Sequence, residues 1–293
     1  MIVQRIAVVG ATGLLGRPVT IQLIKAGYDV TIVARKPALV KGFGKAEITK
    51  ADVFDPGPLR EAFRGQHAVY LNLSVRPDEK KIDLHTETDG LRNVVEAAHA
   101  SGVQRLAFIS SLIMNYQGHN GFNWWVFDVK QEAVRILKAS GISWTIFHPS
   151  TFMENFLHSQ KQGDKIVVSG TSKHRMHYIA GDDYGAQVAR SFALIGDENR
   201  EYAVQGPEAY TVEEAVAVFI ANYRKEKLRV SKSALPLLGL SKLLDQKSQY
   251  AAKLNQAMNN YPEHFEAGKT WAELGKPSTT LAEFAKKAQP PEA

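Results

Sequence analysis

The sequence predicts an α/β fold, with a doubly wound parallel sheet followed by a smaller mixed C-terminal lobe. Two observations predict it. Apolar, β-branched segments alternate with segments of helical period over the first half of the chain, which is typical of right-handed parallel crossovers. The first apolar segment, 6–9, ends in closely spaced glycines and then resumes with helical period, which is typical of a strand, a tight turn and a helix.

Each predicted strand and helix follows from a local sequence pattern. Apolar and β-branched runs predict strands, and apolar residues three and four apart predict helices that end at Gly27 and Gly141. The predicted strands are 6–9, 30–34, 46–50, 67–73, 106–109 and 144–147. The predicted helices between them are 14–26, 83–100 with Asp83 as its N-cap, and 128–139.

The alternation is less regular after Pro149. The pattern predicts a short helix at 152–157, a strand at 165–168 and a helix at 182–194 that rejoins the sheet. Two capping boxes then predict helix starts, and they consist of Thr211 with Glu214 and Thr280 with Glu283. Mostly helical structure is predicted for 235–244 and 250–261.

Composition excludes several classes of protein. The chain of 293 residues is 44% hydrophobic and contains no cysteine, which excludes disulfides, thiolate metal sites and cysteine nucleophiles. It shows no apolar run long enough to span a bilayer and no signal-peptide pattern, so we expect a cytoplasmic protein without a membrane partner. The net charge is +6, and the basic residues are densest at 224–232. No recognition motif with interleaved aromatic residues accompanies them, so we expect no nucleic-acid partner.

The glycine-rich run after the first strand has the spacing of a diphosphate-binding turn. Gly10 allows a sharp turn, Gly13 allows main-chain N–H groups to approach an anion, and Gly16 allows the helix to pack closely on its strand. The positive end of the helix then faces the negative charge. A plain glycine-rich turn is the alternative. The predicted contacts to the cofactor here are Gly10, Thr12, Gly13, Leu14, Leu15 and Gly16.

The second strand ends in Arg35 and Lys36, where a bound dinucleotide presents its ribose 2′ position. An acidic residue at this place selects NAD, whereas an arginine accommodates a 2′-phosphate. We therefore predict NADP(H) as the cofactor. After the third strand, Asp52 and Val53 are candidates for the edge of the adenine, although Asp52 fits a turn equally well.

Further candidates lie at the ends of the fourth and fifth predicted strands. Asn72, Leu73 and Ser74 are candidates for main-chain contact with a ribose. Ser110 lies at the C-terminal end of its strand, where ligands of open α/β sheets bind, but it fits local hydrogen bonding equally well.

Two further groups of residues have competing interpretations. Trp124 and Trp125, before the helix at 128–139, are candidates for a substrate lid, whereas tryptophan pairs more often only pack. His174 and His177 lack a third ligand, so no metal site is expected.

Several motifs occur together along the chain: Gly-Ala-Thr-Gly-Leu-Leu-Gly at 10–16, Arg35, Asp52, Lys130 with Glu132, the run 140–146, His148-Pro149 and the run 152–155. With this set the sequence resembles the atypical short-chain dehydrogenase/reductases, in particular the NmrA-like and isoflavone-reductase-like branch, over nearly its whole length. The resemblance implies an NAD(P)-binding Rossmann domain at 1–153, complemented by about 177–200, and a smaller substrate-binding lobe at 154–293.

The resemblance also implies roles for Lys130 and His148. Lys130 is the predicted catalytic residue and a contact of the nicotinamide ribose, but Val126 stands where the wider superfamily carries a catalytic tyrosine four residues earlier. His148 is predicted to contact the cofactor at a position where the branch usually has arginine, so the charge there becomes titratable near neutral pH.

Three functions are compatible with these residues. The first is an NADPH-dependent reductase of a small organic substrate such as a quinone or an enal, in which Lys130 or a bound water gives the proton. For this role the pKa of Lys130 is expected to fall toward neutrality. The second is a non-catalytic NADP(H) redox sensor with a protein partner, and Val126 favours it. A nucleotide-sugar epimerase or dehydratase ranks third, because it needs the missing tyrosine.

Overall fold

The structure is a computed structural model that describes residues 3–194, 196, 198–233 and 245–289. A parallel sheet of seven strands lies at its centre, beside two three-stranded sheets. The strands are β1 (Arg5–Val9), β2 (Asp29–Ala34), β3 (Glu47–Lys50), β4 (Ala68–Leu71), β5 (Arg105–Ile109), β6 (Ser143–Pro149), β7 (Thr151–Phe152), β8 (Lys161–Gln162), β9 (Lys165–Ser169), β10 (Met176–Ile179), β11 (Arg200–Val204), β12 (Glu208–Tyr210) and β13 (Arg229–Ser233).

The large sheet has the strand order β11-β6-β5-β4-β1-β2-β3, and every neighbouring pair is parallel. From β1 the strands β2 and β3 follow toward one edge of the sheet, and from β4 the strands β5, β6 and β11 follow toward the other edge. The strand order therefore reverses between β1 and β4. The predicted doubly wound sheet is confirmed. Its seventh strand, β11, was not predicted from the sequence.

The helices cover both faces of this sheet. They are α1 (Gly16–Lys25), α2 (Pro56–Phe63), α3 (Leu91–Ala100), α4 (Trp125–Lys138), α5 (Gly181–Ala193), α6 (Val212–Asn222), α7 (Gln246–Asn260), α8 (Gly268–Leu274) and α9 (Leu281–Lys287). Helices α1, α5 and α8 share one apolar core with the sheet, and α2, α3 and α4 share the other.

Side chains along each strand alternate between these two cores. Ile6 and Val8 of β1 pack toward α1 and α5, whereas Ala7 and Val9 pack toward α2, α3 and α4. Because helices cover both faces, β4 and β5 are buried along their whole length. This explains why the central strands read as continuous apolar runs.

A third core lies in the C-terminal lobe, where α6 packs against α9 and the small sheets β12-β10-β7 and β13-β9-β8 lie nearby. Both predicted capping boxes are confirmed. The Thr211 hydroxyl accepts the Glu214 N–H at 3.2 Å, and Thr280 accepts the Glu283 N–H at 3.2 Å. Helix α7 confirms the helical prediction for 250–261, whereas the predicted segment 235–244 lies outside the described residues.

Three local predictions need correction. The helix predicted to start at the Asp83 cap begins later, with a π-helical turn at Thr86–Gly90 before α3. The Asp83 carboxylate accepts the N–H of Lys80, three residues earlier in the chain, at 2.8 Å and therefore caps no helix. The short helix predicted at 152–157 is β7 followed by a 3-10 turn at Met153–Phe156. Helix α2 was not predicted.

Across the part of the chain that the structure describes, no helix is both long enough and apolar enough to cross a membrane.

Candidate functional site

The glycine turn lies where the strand order of the large sheet reverses, between the ends of β1 and β4. Gly10 has φ +83°, and a Cβ atom there would lie 2.3 Å from the carbonyl oxygen of Asn72. A Cβ at Gly16 would lie 2.0 Å from the carbonyl oxygen of Gly10. Both positions therefore require glycine, as the sequence predicts.

This turn offers main-chain groups to a ligand. Thr12 and Gly13 are exposed, and Leu14 and Leu15 are partly exposed, directly before the N-terminus of α1. Ligands of doubly wound sheets bind at the point of strand-order reversal, and a helix N-terminus favours an anion. The cradle that Gly10 and the following residues form thus fits the diphosphate of a dinucleotide.

Basic side chains surround the adjoining end of β2. Arg35 and Lys36 are exposed there, as a contact with a 2′-phosphate requires. Arg17, in the first turn of α1, donates to the carbonyl oxygen of Lys41 at 3.1 Å and its guanidinium lies 4.9 Å from the centre of the Phe43 ring. Arg17 is therefore a further cation next to the glycine turn, and it was not predicted from the sequence. Its position directly after Gly16 could have indicated it.

The two candidate residues after β3 also have structural roles. The Asp52 carboxylate accepts the N–H of Phe54 at 3.1 Å, as expected if Asp52 is a turn residue. The main-chain carbonyl of buried Val53 accepts a hydrogen bond from the Asn93 side-chain amide at 2.9 Å. Their contact with an adenine stays a prediction.

The end of β4 lies directly against the glycine turn. Asn72 donates its N–H to the Val9 carbonyl at 3.0 Å, and its side-chain amide lies 3.4 Å from the Gly10 carbonyl oxygen. Leu73 is buried and Ser74 is exposed. The structure thereby brings the predicted ribose contacts beside the predicted diphosphate contacts.

Lys130 is held in an ion pair that the sequence did not reveal. Its Nζ lies 2.8 Å from Oε1 of Glu87, whose other oxygen accepts the Val75 N–H at 2.9 Å. The Glu87 side chain is 0% exposed and that of Lys130 is 15% exposed. Glu87 looks like an ordinary acidic residue at a helix start, so no local signal distinguished it.

This pair overturns the expectation that the pKa of Lys130 falls. Burial by itself lowers the pKa of Lys130, but the charge of Glu87 and its hydrogen bond outweigh burial, and the net pKa is raised above the usual value. The ammonium group therefore keeps its proton at neutral pH.

More ionisable groups lie around this pair. The Nδ1 atom of His85 lies 2.8 Å from Oε2 of Glu79, and both side chains are buried. The Nε2 atom of His85 is buried and has no hydrogen-bond partner among the described residues. Tyr250 of α7 interacts electrostatically with Lys130, Glu87 and Glu79. We call Glu79, His85, Glu87, Lys130 and Tyr250 the buried ionisable cluster.

The residues that begin α4 pack around this cluster. Val126 is fully buried in the core, so no polar group replaces the absent tyrosine there. Trp124 packs edge-on against Tyr250, with ring centres 4.9 Å apart, and Trp125 stacks on His85 at 5.0 Å. For Trp124, which is 6% exposed, these contacts favour the packing interpretation over the lid.

A family model described as NAD(P)H-binding matches residues 10–193, which is more than half of the chain. This chain belongs to that NAD(P)H-binding family of atypical short-chain dehydrogenase/reductases. The matched range includes the glycine turn, the end of β2 and Lys130.

Similar proteins within this family include several reductases. The chain is 32% identical to (4-alkanoyl-5-oxo-2,5-dihydrofuran-3-yl)methyl phosphate reductase of Streptomyces griseus over 219 residues, 72% of this chain and 71% of that protein. It is 26% identical to quinone oxidoreductase 2 of Escherichia coli (strain K12) over 95% of this chain and 96% of that protein. A crystal structure of the Escherichia coli NADPH-dependent quinone oxidoreductase complexed with NADPH has a TM-score of 0.74 at 25% identity, over 96% of this chain and 98% of that one.

Two of the predicted cofactor contacts have other partners in this member of the family. The Ser110 hydroxyl is buried and donates to Sδ of Met114 at 3.3 Å, which is the local alternative. The Nε2 atom of His148 lies 3.6 Å from Oε1 of Glu201. Their contact with a cofactor stays a prediction.

His148 lines a cleft of about 450 Å³ between α4, β6, β11 and α8. Lys138 and Lys269 also line it, and Nζ of Lys138 lies 2.6 Å from Oε1 of Glu201. The His148 ring and the Lys138 ammonium together lower the pKa of Glu201 to about 2. The cleft thus has a mixed lining, in which two lysines, two glutamates (Glu201 and Glu266) and His148 lie among apolar and neutral polar side chains.

His177 has a carboxylate partner. Its Nδ1 atom lies 3.0 Å from Oε1 of Glu263. The buried side chain of Glu263 also accepts hydrogen bonds from Ser150 at 2.6 Å and Gln205 at 2.8 Å. Glu263 thereby connects the C-terminal ends of β6 and β11 to β10 of the C-terminal lobe.

Proposed function

We propose that this chain is an NADPH-dependent reductase of a small organic substrate such as a quinone or an enal. The observation that carries the proposal is the exposed glycine cradle at the reversal of strand order, with the Lys130 ammonium held at the N-terminal part of α4. The named activities of the similar proteins, which include quinone oxidoreductase 2 and (4-alkanoyl-5-oxo-2,5-dihydrofuran-3-yl)methyl phosphate reductase, support the same reaction class.

We propose NADP(H) over NAD(H) as the cofactor. Arg35 and Lys36 are exposed at the end of β2, and no carboxylate occupies that strand end. A guanidinium group suits a phosphate because it donates two parallel hydrogen bonds to it. With NADPH bound, Arg35 would contact the 2′-phosphate, the main chain at 12–16 would hold the diphosphate and residues 72–74 would lie along the ribose.

The bound cofactor supplies a hydride. Lys130 contributes a fixed positive charge, because Glu87 keeps the ammonium protonated and in place. A preorganised charge of this kind stabilises negative charge that develops on the substrate oxygen. The role of Lys130 in this proposal is therefore electrostatic, and the proton has to come from another group.

Consumption of NADPH with a panel of quinones, enals and nitro compounds tests the proposal. We expect turnover with at least one compound, tighter binding of NADPH than of NADH, and loss of turnover in Lys130→Ala with NADPH binding retained. A wild-type protein that consumes no NADPH with any of them, yet binds NADPH and NADP⁺ with very different affinities, is the redox sensor. We propose a cytoplasmic location and a small molecule as the partner, with a protein partner only for the sensor.

A further inference from the structure

Helix α7 brings the Tyr250 phenol to the start of α4, beside the N-cap residue that lies two positions before Val126. The ring of Tyr250 packs edge-on against Trp124, which is the N-cap of α4, with the ring centres 4.9 Å apart. One turn later, Nζ of Lys253 donates to the Asn123 carbonyl at 3.1 Å and lies 5.0 Å from the centre of the Phe122 ring. Residues three apart share a helix face, so these contacts fix which face of α7 covers the start of α4.

Tyr250 is partly buried beside opposite charges. Burial raises its pKa, the Lys130 ammonium lowers it, and the carboxylates of Glu87 and Glu79 raise it, with a net rise above the usual value. The phenol therefore holds its proton at neutral pH, which a proton donor requires. Within the described residues its hydroxyl has no hydrogen-bond partner, so it is free to bind a substrate oxygen.

The other groups at this place are poorly suited to give the proton. Lys130 is committed to Glu87, Val126 has no proton to give, and the Ser110 hydroxyl is buried against Met114. We propose that Tyr250 is the general acid of the reductase and replaces the tyrosine that is absent at position 126. This inference rests on the reductase function proposed above.

The substrate accepts a hydride from the reduced nicotinamide, which is thereby oxidised, and negative charge develops on a substrate oxygen. The O–H bond of Tyr250 then breaks and an O–H bond of the product forms. The resulting phenolate lies near the Lys130 ammonium, which stabilises it until water returns the proton.

Tyr250→Phe tests this role, with Tyr28→Phe as the matched control. The Tyr28 hydroxyl donates to the Ala189 carbonyl at 3.1 Å on the opposite face of the sheet, so its loss should not affect turnover. Positioned acids contribute about 10²- to 10⁴-fold to rate, so we expect kcat of Tyr250→Phe to fall by that factor while the Kd for NADPH is unchanged. Thermal unfolding confirms that both variants are folded.

An alkaline absorbance titration provides a readout that does not depend on turnover. The difference between wild type and Tyr250→Phe isolates the ionisation of this one phenol. In a Lys130→Met background the same difference should give a higher pKa for Tyr250, because the ammonium that lowers it is gone.

The outcomes separate the two proposals. An active wild type with an equally active Tyr250→Phe overturns the role of Tyr250 alone. A pKa of Tyr250 that does not respond to Lys130→Met also overturns it, because the phenolate then has no stabilising charge. A wild type that reduces none of the panel compounds overturns the reductase function itself, and with it the need for any acid.

Discussion

Glu87→Gln removes the charge that holds Lys130 in the buried ionisable cluster. With side-chain exposures of 0% for Glu87 and 15% for Lys130, the ammonium group loses its counter-charge in a place that little water reaches. The new glutamine keeps an oxygen that accepts the Val75 N–H, as Glu87 does at 2.9 Å. The variant therefore tests the charge and leaves the local hydrogen bond in place.

The expected loss of stability follows from burial. Removing one partner of a buried ion pair costs about 3–5 kcal/mol, and because Lys130 keeps slight exposure we expect about 3 kcal/mol. Glu132→Gln is the matched control. Glu132 is 36% exposed and pairs with Arg92 at 2.9 Å and Arg135 at 2.8 Å, so its loss should cost no more than about 1 kcal/mol.

The loss should also depend on pH. Without Glu87, burial leaves the pKa of Lys130 below its unfolded value of 10.5, so the unfolded state binds more protons and the stability of the variant rises with pH in that window. In the wild type the pKa is raised, so the contribution of the ion pair is complete below 10.5 and is lost above it. The stability difference between the two proteins should therefore shrink as the pH rises toward 10.5 and beyond.

Urea unfolding followed by circular dichroism at several pH values measures both effects. The reasoning fails if Glu87→Gln loses no more stability than Glu132→Gln at neutral pH. It also fails if the difference from wild type stays constant as the pH rises, because the buried ammonium is then not the cause.

Three further outcomes are expected. Arg35→Ala should weaken NADPH binding by about 1.5–3 kcal/mol, measured by calorimetric titration, and leave NADH binding unchanged; equal losses for both cofactors contradict a 2′-phosphate contact. Glu154→Gln should flatten the fall in stability with rising pH, because burial raises the pKa of Glu154 from 4.5 to about 7 although the Gly181 N–H lowers it. At about 1.4 kcal/mol per pKa unit, the wild type should lose roughly 3 kcal/mol across that interval, and a wild-type profile as flat as that of the variant argues against the raised pKa. Thr211→Ala should lower the free energy of unfolding by about 1 kcal/mol through loss of the α6 cap, and an unchanged urea midpoint shows that the cap contributes nothing.

The role of Lys130 depends on a partner that is distant in the chain. From sequence, a lysine near a missing tyrosine suggests a proton donor with a lowered pKa. The structure pairs it with Glu87, 43 residues away in the chain, and the pair raises the pKa. The same lysine is then better suited to stabilise negative charge than to transfer a proton.

Elements with strong local signals were predictable from the sequence, and elements without them were not. The glycine turn and both capping boxes depend on backbone conformation and on contacts within a few residues, so the residue types alone identify them. Strand β11 and the late start of α3 lack such signals, whereas α2 was missed although Asp55 and Pro56 at its start are a usual helix-start pattern. The position of β11 depends on its pairing with β6, a contact between distant segments.

For this protein the sequence by itself determined the doubly wound sheet, the position of the glycine turn and the basic end of β2, because periodicity and glycine conformation are local properties. Only the tertiary structure decided the state of the candidate site. Whether Lys130 meets a carboxylate, whether Tyr250 reaches the start of α4, and which way His148 faces depend on how segments far apart in the chain pack. Burial and charge at those contacts determine each pKa, and neither is encoded in the neighbouring residues.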